Sequence, residues 1–309
     1  MSFVKRIFLV GPTASGKSEL AVHIAQQVNG EIISADARQC YKGMEIGSAA
    51  PESKWLDRVP HHNVSNLEPS TPDDASAFSE RATRWIEEIT SRDRLPLIVG
   101  GSTLYLQALI QPFDALPPAN PDHIVSLQEQ AENEGLESLY AELSRVDPDY
   151  TQKMDGMNRH RIIRALDVWR QTGKPFSSFH HASATMPASG DLWIGLQWHR
   201  AELVERIERR THTLFGAVFK EEVQNLMDWP DLLRTTVGFK QMAQYLRGEI
   251  TEEEALEFTI IATRQYAKRQ MTWFRRWPFI EWFHPENERD ELLKRVVNQV
   301  AVNPKNPYI

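Results

Sequence analysis

Short apolar runs alternate with amphipathic stretches over the first hundred residues. Phe3 to Val10 is largely apolar with little alternation and runs into Gly11, the pattern of a short buried strand feeding a loop. Ser18 to Val28 then places Leu20, Ile24 and Val28 on one face of a helix. Glu31-Ile32-Ile33-Ser34-Ala35 reads as a second strand ending at Asp36. A helix follows over Ala77 to Ile89, with Phe78, Ala82, Trp85 and Ile89 in phase. Leu95 to Val99 is a third strand, closed by the turn Gly100-Gly101. Strands alternating with helices predict an α/β fold with a parallel sheet, and ligands at the carboxyl ends of its strands.

The pattern breaks between Pro112 and Pro121, which hold four prolines. From there the sequence reads as mostly helical, including Met157 to Thr172. Strand character returns at Trp193-Ile194-Gly195-Leu196-Gln197-Trp198, followed by long amphipathic helices over Ala201 to Phe219 and Glu252 to Trp273. The expected organisation is a core in two parts, 1–115 and 192–309, interrupted by a mainly helical insertion at 116–191. No internal repeat at solenoid periods interrupts this reading.

Composition narrows the class. A hydrophobic share of 41% with 25% charged residues is that of an ordinary globular chain. The one cysteine, Cys40, rules out an intrachain disulfide framework or a multi-cysteine zinc cluster, and suits a reducing compartment. No apolar run is long enough to span a bilayer, and the N-terminal apolar run is too short for a signal core. A soluble, cytoplasmic protein is expected. Net charge is −7, yet Arg264, Lys268, Arg269, Arg275 and Arg276 lie in a stretch without an acid. Arg159, Arg161, Arg164 and Arg170 form a second basic group against the single acid Asp167. Local charge, rather than the total, meets phosphates, so nucleic acid remains open as a partner.

The chemistry begins at Gly11-Pro12-Thr13-Ala14-Ser15-Gly16-Lys17-Ser18, a phosphate-binding loop between a strand and a helix. Its backbone N–H groups can curl around phosphate oxygens at a helix N-terminus. Lys17 can reach terminal oxygens, and the Ser18 hydroxyl can hold Mg²⁺. The loop and its setting predict a P-loop NTPase-like core, a parallel sheet flanked by helices. Asp36, at the end of the second strand, is either a base or metal-positioning carboxylate or the cap of a turn. It lies beside the loop if strands one and two are close. His61-His62 and His180-His181 lack metal-ligand spacing and read as ordinary polar positions.

The chain resembles the tRNA dimethylallyltransferases, also called tRNA isopentenyltransferases, through nearly its whole length. The resemblance is carried by the phosphate loop and by Ser34-Ala35-Asp36-Ala37-Arg38-Gln39-Cys40-Tyr41-Lys42-Gly43-Met44-Glu45-Ile46-Gly47. It continues through Pro60-His61-His62, Gly100-Gly101-Ser102-Thr103-Leu104-Tyr105, Arg161 to Val168, Thr172-Gly173-Lys174 and Val237-Gly238-Phe239-Lys240-Gln241. Thr263-Arg264-Gln265-Tyr266-Ala267-Lys268-Arg269-Gln270-Met271-Thr272-Trp273-Phe274-Arg275 closes it. Ala37, Cys40, Ala50, Ser102-Thr103 and Ile124 depart from the family's usual residues, and no cysteine follows Cys40 to build a C-terminal zinc finger.

The resemblance implies transfer of a dimethylallyl group from dimethylallyl diphosphate to N6 of the adenine 3′ of the anticodon. Asp36 would then be the general base, Thr13 and Arg200 would act with it, and Gly11 to Ser18 would hold the diphosphate, with Mg²⁺ on Ser18. Contacts to the tRNA anticodon stem-loop would come from Asp36, Ala37, Arg38, Gln39 and Ser102, from Arg159, His160, Arg161, Ile162 and Ile163, and from Arg264, Lys268 and Arg269. Arg164 is a further candidate for stem phosphates. Tyr266, Trp273 and Trp277 recur near one another at helical spacing, and the tryptophans are assigned mainly to the core. The family resemblance also favours a monomer. Two other readings fit the loop: a P-loop kinase of a small metabolite, and a tRNA-binding module without activity.

Overall fold

Along β1 (Arg6–Val10), Ile7 and Leu9 point to one side and Phe8 and Val10 to the other, all with no exposure. Period-two alternation with both faces apolar requires cover on both sides, and the chain supplies it. The computed structural model describes residues 4–111, 116–179 and 187–301. After β1 come α1 (Lys17–Gln27), β2 (Gly30–Ala35), the short α2 (Ser53–Leu56), β3 (His61–His62), α3 (Ala75–Ser91), β4 (Leu95–Gly100) and α4 (Thr103–Ile110). Helices α5 (Pro121–Asn133), α6 (Leu136–Val146), α7 (Pro148–Gln152) and α8 (Arg159–Thr172) precede β5 (Asp191–Leu196). The chain ends with α9 (Arg200–Leu214), α10 (Ala217–Gln224), α11 (Pro230–Arg234), α12 (Phe239–Leu246), α13 (Glu252–Phe274), β6 (Glu281–Phe283) and α14 (Arg289–Ala301).

Two compact units result, Pro112–Ala184 and the remainder. In the larger unit, six strands form one parallel sheet in the order β3-β2-β4-β1-β5-β6. One face packs Ile7, Leu9, Ile32, Leu97 and Ile194 on α1 and α14. The other packs Phe8, Ile33, Ile98 and Trp193 on α3, α4 and the end of α13. Phe8 and Trp193 are register partners on neighbouring strands, and their rings stack with centroids 3.9 Å apart. A third cluster joins Cys40, Tyr41 and Met44, beyond β2, to Phe219, Val223, Phe239 and Met242 of α10 and α12. Among the described residues, no helix is long and apolar enough to cross a membrane.

The smaller unit is helical. Asn120, Asp147 and Asn158 cap α5, α7 and α8 with side-chain acceptors, and Pro121 and Pro148 take the first helical position. Its core holds Leu127, Leu139, Leu143, Ile162, Ile163 and Leu166.

Three local expectations need correction. The stretch Ala201 to Phe219 is two helices, because Phe215 and Gly216 adopt extended backbone between α9 and α10. Strand character stops at Leu196, before Gln197 and Trp198. The expected insertion boundary at 191 falls inside the sheet, since Asp191 opens β5 and pairs with Arg6 of β1 in register and by ion pair.

Candidate functional site

The loop from Gly11 to Gly16 reverses the chain through positive φ at Ala14 (63°) and Gly16 (87°). Such backbone turns successive N–H groups toward one side, which makes a concavity suited to an anion. Lys17 opens α1 and folds back, its Nζ donating to the carbonyls of Gly11 (3.0 Å) and Pro12 (2.7 Å). Burial drives its pKa down from 10.5 to about 8; Asp36 pulls the other way and Arg210 adds to the fall. Ser18 is exposed on the first turn of α1 and lines the same cleft. A hydroxyl donor beside an anion-binding loop fits a hard, oxygen-seeking ion such as Mg²⁺.

Asp36 reaches this loop by a route that the sequence hides. Strands β1 and β2 are not neighbours, because β4 lies between them. The intervening strand ends at Gly100 and is followed by Gly101, and the absence of side chains there lets the Ala35 backbone and the Gln270 amide come close. A Cβ on Gly100 would lie 2.1 Å from the Ala35 carbonyl, and one on Gly101 would lie 2.3 Å from Gln270 Nε2. Asp36 Oδ1 accepts the N–H groups of Arg38 (2.9 Å) and Gln39 (3.3 Å). The carboxylate therefore caps its own turn, and it also lines the cleft that holds the loop.

Helices α9 and α13 complete the site with residues that sequence reasoning did not single out. Arg210 Nη1 donates to Thr13 Oγ1 at 3.1 Å, and burial lowers its pKa against the opposing pull of Asp36. Arg206 Nε donates to the Ala14 carbonyl (3.0 Å), and its guanidinium lies 4.1 Å above the Trp198 ring. Trp198 Nε1 in turn donates to the Ser15 carbonyl (3.1 Å). The buried Gln270 accepts the Thr13 N–H (2.8 Å) and donates to the Gly101 carbonyl (2.9 Å). Arg206 and Arg210, four apart and thus on one helix face, were the available signal for α9.

Arg200 is not part of this arrangement. It is the first residue of α9, exposed, and it lines neither lobe of the cleft. At about 100° per residue, position 200 lies about 120° round the helix from 206 and about 80° from 210, more than two turns before the latter. The guanidinium groups beside the loop are those of Arg206, on the Ala14 carbonyl, and Arg210, on the Thr13 hydroxyl. Near the start of α9, His199, Glu202 and His284 cluster within 4.8 Å. Nδ1 of His284 accepts the N–H groups of Glu286 and Asn287, so its Nε2 carries the proton toward Glu202 (3.1 Å). Its ring packs on Trp198, with centroids 4.8 Å apart. Glu202 also accepts the His199 backbone N–H (3.2 Å), and the cluster braces the tryptophan through the His284 ring.

The cleft has two lobes. One, of about 780 Å³, is lined by Thr13 to Ser18, Arg206, Arg209 and Gln270. The other, of about 370 Å³, is lined by Ala37, Arg38, Ser102, Ile207, Thr235 to Gly238, Thr263 and Arg269. Thr13, Asp36, Arg210 and Tyr266 belong to both. Burial and the nearby Asp36 push the Tyr266 phenol up to about 12, and its hydroxyl bonds Ser102. Ser102 Oγ also accepts the Ala37 N–H (3.1 Å), and Arg38 reaches Thr235. Gln39, expected to be free for a ligand, has its amide engaged with Ser34 (2.8 Å) and the Ala49 carbonyl (3.0 Å). Arg264 and Lys268 lie exposed on α13, Arg269 beside the smaller lobe, and Trp277 is buried as anticipated. His61 and His62 go their own ways, to the Val59 carbonyl and to Glu31. His180 and His181 lie outside the described residues.

In the helical unit, Arg159, His160 and Arg161 are exposed at the start of α8. Ile162 and Ile163 are not available to any ligand surface, since both are buried in that unit's core, at 0% and 5% exposure. Arg164 pairs with the fully buried Asp167, and Arg170 reaches Gln130 and Glu142. A buried carboxylate must be paired, which claims Arg164 for the fold rather than for phosphates.

The model of the IPP transferase family matches residues 39–277 of this chain. It is similar to the tRNA dimethylallyltransferase of Carboxydothermus hydrogenoformans, 37% identical over 97% of this chain and 98% of the relative. It is also similar to that of Geobacter sulfurreducens, 40% identical over 93% and 94%. The crystal structure of the full-length tRNA isopentenylpyrophosphate transferase of Bacillus halodurans aligns with a TM-score of 0.67 at 34% identity, covering 96% of each chain. A eukaryotic dimethylallyltransferase acting on tRNA shares the fold, with a TM-score of 0.81 at 23% identity over 97% of this chain and 80% of its own.

Proposed function

This chain belongs to the IPP transferase family and is a tRNA prenyltransferase, and we propose that its two lobes meet around a single transfer: dimethylallyl from its diphosphate to N6 of the adenine 3′ of the anticodon. The observation that carries the proposal is Asp36, a carboxylate shared by both lobes and placed against Lys17, Arg210 and Thr13.

The N6 lone pair of adenine is delocalised into its ring, so attack on carbon needs a base for the N6 proton. The Asp36 carboxylate takes that proton as the N6–C bond forms. The allylic C–O bond breaks with its electron pair going to the diphosphate, and charge grows on the bridging oxygen. The loop N–H groups, Lys17 and the Arg210–Thr13 pair stabilise that growth, and they are preorganised by the bonds described above. Ser18 would hold Mg²⁺, which would supply further charge neutralisation to the diphosphate. An adenine stacked in an anticodon loop must leave the stack to reach Asp36, and the smaller lobe, rimmed by Arg38 and Arg269 and walled by Tyr266, suits a flipped base. Exposed Arg264 and Lys268 on α13 and Arg159 and Arg161 on α8 offer charge to RNA phosphates, and His160 beside them offers a hydrogen-bonding ring.

Incubation with unmodified tRNA and dimethylallyl diphosphate, followed by nucleoside mass analysis, tests the proposal. A five-carbon gain on adenine with release of diphosphate is expected, with no nucleotide consumed. Transfer of γ-phosphate from ATP to an acceptor would replace this reading with the kinase one.

A further inference from the structure

Tyr266 belongs to both lobes of the cleft and brings a hydroxyl to the place where they meet. Five threonines line the smaller lobe beside it and have no proton to offer a ligand. Thr211, Thr235, Thr236, Thr259 and Thr263 each donate their hydroxyl to a helix carbonyl at 2.7–2.8 Å. Ser48 Oγ has no partner, but it is sealed from solvent and so from a ligand. Ser102 Oγ accepts the Ala37 N–H (3.1 Å) and can give its own proton to the Tyr266 oxygen. The phenolic proton is then free for a substrate. Burial and the negative charge of Asp36 push the phenol up to about 12, so it stays a neutral donor near pH 7.

Adenine presents an N–H donor at N6 with ring-nitrogen acceptors, N1 and N7, on either side of it. A pocket that recognises it needs an acceptor next to a donor. Asp36 is the acceptor, and it lies near enough to Tyr266 to act on its charge state. Resting on the placement of the adenine in the smaller lobe given above, we infer that Tyr266 reads the target base: its hydroxyl donates to a ring nitrogen beside N6 while Asp36 accepts from N6. The two bonds hold the amino group against the carboxylate that takes its proton. They also select against guanine, whose O6 stands where adenine has N6 and would set one acceptor against another. Tyr266 thus does more than wall the lobe.

The test is single-turnover prenylation by the full-length protein of anticodon stem-loop RNAs carrying adenine, 7-deazaadenine or 1-deazaadenine at the target position. Tyr266→Phe keeps the ring and removes the donor. On the adenine RNA it should lower kcat/KM by about five- to ten-fold, the worth of one hydrogen bond. On the analogue that lacks the bonded nitrogen, the variant should match the wild type, and on the other analogue it should show the full loss. Variant and wild type are compared on each RNA, which cancels the change in N6 reactivity that an analogue brings. A hydroxyl that serves only the fold would lower all three rates by the same factor. That outcome, or an unchanged rate of Tyr266→Phe on adenine, overturns the assignment and leaves the prenylation reading standing. Wild-type protein that prenylates none of the three RNAs would strike down the prenylation reading itself, and this one with it.

Discussion

Replacing Arg210 by Gln removes a half-buried guanidinium that donates to Thr13 while keeping a side chain able to hydrogen-bond. A unit charge about 4 Å from a diphosphate oxygen, at an effective dielectric near 20, is worth about 4 kcal/mol. Much of that attraction exists already in the ground state, because the diphosphate arrives charged. Only the share that grows as the C–O bond breaks accelerates the reaction. A fall in kcat of about 10²–10³ is therefore expected, in the range found for loss of one preorganised donor. The assay is single-turnover prenylation with saturating tRNA and dimethylallyl diphosphate, beside tRNA binding measured separately. Binding of tRNA should stay within about two-fold, since no phosphate of the RNA need touch Arg210. Arg200→Gln is the paired control: exposed at the start of α9 and outside both lobes, it should leave kcat near wild type. Equal losses at both positions, or no loss at Arg210, would refute the assignment of leaving-group stabilisation to that helix face.

Asp36→Asn keeps the shape of the turn and should lower turnover by about 10²–10⁴ with tRNA affinity unchanged; near-normal turnover removes it as the base. Lys17 has a pKa of about 8, brought down by burial, and a bound diphosphate favours its charged form. Binding therefore takes up a proton between about pH 8 and pH 10, and diphosphate affinity falls as pH rises through that window. Calorimetry in buffers of different ionisation enthalpy reads this uptake, and a zero value at pH 9 counts against it. Lys268→Ala should weaken all tRNA substrates alike and reduce the slope of log affinity against log salt by about one; an unchanged slope returns α13 to a solvated face.

The phosphate loop could be read directly from the sequence because its chemistry is contiguous. Strand, glycines, Lys17 and helix start are neighbours in the chain, and backbone geometry alone brings them together. The same holds for the strands β1, β2, β4 and β5, whose largely apolar runs call for cover on both faces. Strands β3 and β6, of two and three residues, carry too little pattern to be seen.

Three features of the site arise only when distant faces pack. That Asp36 meets the loop depends on β4 inserting between β1 and β2 and ending in glycines there. That Arg210 rather than Arg200 stands over Thr13 depends on which face α9 turns to the sheet, a contact 197 residues apart in sequence. That Asp167, one turn from Arg164 on α8, and Ile162 are both carried into the core depends on how α8 packs with α5 and α6. A side chain's type, together with its neighbours a turn away, is written in the chain and can be read as local chemistry. Which of its possible partners it finds is set by burial, since the buried face of each helix is chosen by the apolar surface it covers, and polar groups carried inward with it must take the partners they meet.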